Sequence, residues 1–90
     1  MEKSISVGTR TVCVDRIKHA CSVMITPVEG FPLAPVADEL DANPGLQVLS
    51  IYPSKGKFII FVEGGISDEM LLGRITRVIE NASQVNDERP

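Results

Sequence analysis

The stretch LDANPGLQVLSIYPSKGKFIIFVEG, residues 40–64, decides how this 90-residue chain folds. It reads as a helix end, a stop at Asn43-Pro44-Gly45, a strand, a turn at Pro53-Ser54-Lys55-Gly56 and a second strand from Lys57 to Glu63. Pro44 lacks the N–H that a continuing helix needs, and Gly45 permits the reversal into a strand over 46–52. A three-residue loop Ser54-Lys55-Gly56, with Gly56 left-handed, sets Leu49 opposite Phe61 and Ile51 opposite Ile59. Leu46, Val48, Phe58, Ile60 and Val62 then share one face. A two-residue loop would shift the pairing by one.

Upstream, Leu33, Val36, Ala37 and Leu40 follow the i, i+3, i+4, i+7 spacing of a buried helical stripe, which predicts a helix over 33–42 with Asp38, Glu39 and Asp41 on its wet side. Pro32 and Pro35 fit only in or before its first turn. Before that helix, residues 9–17 and 19–28 are two runs rich in β-branched residues, separated by a short polar break, and read as an antiparallel hairpin. Downstream, Gly64-Gly65 ends the second strand. Ser67 followed by Asp68 and Glu69 is a helix start, with a hydroxyl cap and carboxylates at the positive dipole end. Leu71, Leu72, Ile75, Val78, Ile79 and Ala82 form that helix's buried stripe to about Ser83, leaving Arg74, Arg77 and Glu80 outside.

The expected order is strand, strand, helix, strand, strand, helix within one domain over 9–84, between a loose leader, 1–8, and a mobile tail, 85–90. Helices crossing between paired strands predict an α+β sandwich: a four-stranded antiparallel sheet with both helices on one face. From its second strand onward this is the ferredoxin-like order without its last strand, and the N-terminal hairpin would fill the vacant place beside the first strand, giving a permuted ββαββα sandwich.

Composition narrows the function. Hydrophobic residues make up 43% and charged residues 23%, ordinary for a globular domain. The net charge of −3 disfavours a nucleic-acid surface, which draws its affinity from clustered Lys and Arg. Two cysteines are too few for a secreted disulfide scaffold. No apolar run approaches the roughly 20 residues that span a membrane, and MEKSISVGTR lacks the apolar core of a secretory signal, so a cytoplasmic location is expected.

Two helices cover only one side of such a sheet, and the other side does not read polar. In the favoured register Leu49, Ile51, Ile59 and Phe61 point away from the helices, with Met24 and one of the N-terminal valines beside them. Such a contiguous apolar patch marks a partner or self-association surface.

The strand Cys21 to Ile25, the helix with Leu40, the Pro44-Gly45 stop before Leu46-Gln47-Val48, and Gly56-Lys57-Phe58-Ile59-Ile60-Phe61-Val62-Glu63 occur in the order and spacing seen in NapD-type proteins. Over about residues 20–79 the chain resembles this family, the small cytoplasmic maturation chaperones of periplasmic nitrate reductase. The resemblance implies binding of the twin-arginine signal peptide of a molybdoenzyme precursor, as a helix on the sheet face. The peptide's apolar stretch would pack on Met24, Leu49, Ile51, Ile59 and Phe61, and its arginines would seek carboxylates such as Glu63 at the rim. The family's final strand has no counterpart after the second helix. The alternative is a ferredoxin-like structural or regulatory domain that uses this face for homodimerisation or for another protein partner.

Other constellations are weaker. Cys13, His19 and Cys21 invite a metal or redox reading, because a hairpin centred near Ile17 would set the two sulfurs opposite each other; three ligands fall short of a tetrahedral zinc site, so no metal or other cofactor is expected. His19 is the only histidine, and no nucleophile–base–orienter set forms around it, so the chain is not expected to be an enzyme. Lys57 and Ile59 occupy slots where an RNA-binding strand needs aromatics.

Overall fold

The computed structural model describes residues 1–87, with side chains through residue 83. The elements are β1 (Glu2–Val7), β2 (Arg10–Ile17), β3 (Ala20–Thr26), α1 (Leu33–Ala42), β4 (Leu46–Tyr52), a 3-10 turn (Pro53–Lys55), β5 (Lys57–Val62) and α2 (Asp68–Asp87). The fold is α+β, with one open antiparallel sheet in the order β1-β2-β3-β5-β4.

The sheet has five strands, not the expected four. Residues 2–7, read as part of a loose leader, pair with β2 from Glu2↔Asp15 to Val7↔Arg10. The alternation of Ile5 and Val7 turns both toward the helices, where Val7 is buried and Ile5 packs on the core. Helix α2 also runs past Ser83, so 85–87 of the expected tail are helical; its last residues, 88–90, lie outside the described residues.

One face of the sheet meets both helices. Alternate residues Val12 and Val14, Val23 and Ile25, and Phe58, Ile60 and Val62 are fully buried there against Val36 and Leu40 of α1 and Leu71, Ile75 and Ile79 of α2. The core is aliphatic apart from Phe58, Phe31 and Cys21. α1 lies over β4 and α2 reaches β1. Ser67 caps α2, its Oγ accepting from the Met70 amide at 3.2 Å. Arg16 ties that helix to the β2–β3 hairpin: its guanidinium donates to the Ile66 carbonyl at 2.6 Å, to the Asp68 carboxylate at 3.1 Å and to the Lys18 carbonyl at 2.9 Å. Asp68 is largely in water, so the ion pair itself adds little, and the carbonyl bonds do most of the positioning.

The β4–β5 hairpin departs from the expected register. Four residues, 53–56, connect Tyr52 to Lys57, and Gly56 is left-handed at φ 62°, as expected. Val48 pairs with Ile60, but Ser50 pairs with Ile59, so Leu49 and Ser50 together oppose Ile59 in a β-bulge. Leu49 is therefore not opposite Phe61, nor Ile51 opposite Ile59.

Two glycines test this packing in opposite directions. A Cβ on Gly56 would stand 2.5 Å from the Ile25 carbonyl oxygen, whose strand is bonded to this turn, and its positive φ already disfavours a side chain; Gly56→Ala should lower stability by about 2 kcal/mol or more. Gly73 lies inside α2, where a Cβ would meet nothing within 4 Å, so Gly73→Ala should raise stability by about 1 kcal/mol. Chemical denaturation of the two variants beside the wild type measures both.

Candidate protein-binding face

The face of the sheet turned away from the helices is built in rows by the strand register. One row runs Ile17, Ala20, Phe61, Gln47. The next runs Glu2, Asp15, Ser22, Ile59 and the bulged pair Leu49 and Ser50. A third runs Ser4, Cys13, Met24, Lys57, Tyr52. The apolar side chains thus gather over β3, β5 and β4, with Ile17 at the end of β2 beside them, while β1 and the rest of β2 contribute mostly carboxylates and hydroxyls.

Of the residues expected here, Met24 (36% exposed) and Phe61 (40%) stand on this face, with Ile59 half-buried between them. Leu49 is 56% exposed on the bulge. Ile51 is not part of the face. The bulge shifts the alternation by one, so Ile51 pairs with the buried Phe58 and lies on the helical side of the edge strand, where it is still 40% exposed. None of the N-terminal valines is on the open face either, since Val7, Val12 and Val14 all point into the core. Glu63 is exposed just beyond β5; its amide donates to the Gly45 carbonyl at 2.8 Å, and its side chain lies against Gly45.

Ile17, Tyr52 and Asp15 belong to the face but were not identified from sequence. Ile17 would have followed from a hairpin turn at Lys18-His19 rather than at Ile17, and the positive φ of Lys18 marks that turn. Tyr52 changes sides with the bulge, for which the sequence carries no signal. His19 flanks the patch: its ring lies 5.8 Å from that of Phe61, and Nδ1, 3.1 Å from the Val62 carbonyl, donates to it, leaving Nε2 free of that bond.

The two cysteines are not opposite each other. Cys13 pairs with Met24 and Cys21 with Arg16, and they lie on opposite faces of the sheet, Cys13 half-buried on the open side and Cys21 in the core. Burial pushes the Cys21 thiol up to about 11, against the pull of the neighbouring Arg16 charge. Among the described residues no three His, Cys, Asp or Glu side chains gather as a metal site, and no helix is long and apolar enough to cross a membrane.

Compared with family models, with curated proteins and with solved structures, the chain matches none.

The thiols supply a check on the two faces. A maleimide near neutral pH should modify Cys13 in the folded protein and spare Cys21 until unfolding, as read by mass spectrometry. Because the folded Cys21 thiol holds its proton more tightly than the unfolded one, its contribution to stability is complete below about pH 9 and is lost as pH rises through about 11. The Cys21→Val variant should lose less stability than the wild type over that interval in denaturation curves.

Proposed function

We propose that the chain is a peptide-binding module of the NapD type, whose open sheet face takes the twin-arginine signal peptide of a molybdoenzyme precursor as an amphipathic helix. The observation that carries this reading is the uncovered face itself, with Phe61, Met24 and Leu49 exposed around a half-buried Ile59 and the carboxylates Glu2 and Asp15 alongside. Strands β3, β4 and β5 with α1 and α2 follow the ferredoxin-like order, and β2, antiparallel beside β3, takes the place of that fold's last strand. The N-terminal hairpin thereby stands in for the C-terminal strand of the NapD family, and β1 extends the sheet by one further strand.

The dimensions suit such a ligand. Strands β2, β3, β5 and β4 span about 15 Å at ordinary strand spacing, and a peptide helix is about 10–12 Å across. A helix lying along β3 and β5 sets its apolar side on Ile59, Phe61 and Met24. Arginines leaving its edge toward β2 reach Asp15 and Glu2, and those leaving its end reach Glu63. Guanidinium groups meet carboxylates through paired N–H donors, which ammonium groups cannot reproduce, so the surface should prefer Arg to Lys.

A synthetic twin-arginine leader titrated calorimetrically should bind the wild type. Affinity should fall about tenfold or more when both arginines become lysines, and likewise in Asp15→Asn. Absence of binding by the leader, together with a self-associated species that Phe61→Glu converts to monomer, would assign the face to homodimerisation instead.

A further inference from the structure

A second surface lies on the opposite side of the molecule, on the outer side of α2. Glu69, Gly73 and Arg77 are spaced four apart and form one exposed ridge along that helix. Gly73 occupies a position where glycine weakens the helix and where nothing within the chain needs the room. Beside it, between α1 and α2, opens a cleft of about 560 Å³ bordered by Glu39, Asn43, Pro44 and Met70. Met70 is 48% exposed at its mouth. Among the described residues neither Glu69 nor Arg77 is ion-paired, Arg16–Asp68 being the only such pair. Arg74, by contrast, is engaged, its guanidinium donating to the Pro44 carbonyl.

The ridge is complementary to itself. An antiparallel copy of α2 crossing at Gly73 exchanges residues equally distant from that glycine. Glu69 lies four before it and Arg77 four after it, so each glutamate of one copy meets the arginine of the other at both ends of the crossing. The missing side chain at Gly73 lets the two helix backbones approach, and each Met70 enters the cleft of the opposite copy. Packing of matching four-residue ridges is the commonest helix crossing, at about −50°.

We propose that α2 is a self-association helix, and that the occupant of this ridge and cleft is a second copy of the chain related by a twofold axis through Gly73. Such a pair is isologous and closed, so it stops at two. Both open sheet faces then point outward, and the dimer presents two binding faces. The proposal does not depend on what those faces bind.

Sedimentation velocity over a concentration series tests it. The wild type should shift from monomer toward dimer by about 100 µM, the range of modest interfaces with few anchors. Arg77→Glu and Glu69→Arg should each weaken the dimer about tenfold or more through like-charge contacts, and the double variant, with both charges exchanged, should recover it. Gly73→Leu should remain folded by circular dichroism and monomeric. A wild type that stays monomeric throughout, a dimer indifferent to the single reversals, or a double variant no better than either single one would overturn the proposal.

Discussion

Two helices cannot cover both sides of a sheet, and the architecture of this chain follows from that geometrical fact. Five strands at ordinary spacing make a sheet about 20 Å wide, roughly the width of two packed helices. α1 and α2 therefore cover one face, and the fully buried strand residues on that side are all aliphatic apart from Phe58. The opposite face must meet water or a partner. Over β1 and β2 that face carries mainly polar groups, Glu2, Ser4, Ser6, Thr11 and Asp15, with Cys13 and Ile17 among them, whereas over β3, β5 and β4 it presents Met24, Ile59, Phe61, Leu49 and Tyr52. The contrast between the two halves of one face is what makes a partner surface the best account of it.

The edge strand β4 shows how local chemistry keeps that surface from becoming a general aggregation site. Its Val48 amide is taken by the Asp41 carboxylate at 3.1 Å, and its Leu46 amide by the Asn43 carbonyl at 3.1 Å. The bulge at Leu49 and Ser50 then interrupts the run of pairing groups. Together these blunt the edge against strand addition, which favours a ligand lying on the face over one extending the sheet.

Much of this was legible in the sequence because it rests on short-range signals. The stripe Leu33, Val36, Ala37, Leu40 and the Pro44-Gly45 stop placed α1 to the residue, and Ser67 with Asp68 and Glu69 placed the start of α2. The alternation through Phe58, Ile60 and Val62 placed the core face of β5. What escaped depends on tertiary context. β1 carries only two inward apolar residues, Ile5 and Val7, and becomes a strand because β2 is there to pair with it and α2 to cover it. The bulge in β4 has no local signature, since LQVLSIY alternates equally well in either register; it alone moves Ile51 off the face and brings Tyr52 onto it. Asp15 carries no signal of its own; the turn at Lys18-His19 sets it against Glu2 and Ser22 on the open face.

The central claim is that the open face serves binding and contributes little to the chain's own folding. Thermal unfolding of a Leu49→Ser/Phe61→Ser variant, alone and with a twin-arginine leader peptide, addresses it most directly. The account predicts a midpoint within a few degrees of the wild type when alone, as for exposed positions, and no upward shift with the peptide, whereas the wild type is raised by its ligand. A variant that loses most of its stability without any peptide would contradict it, because the face would then be part of the protein's own packing.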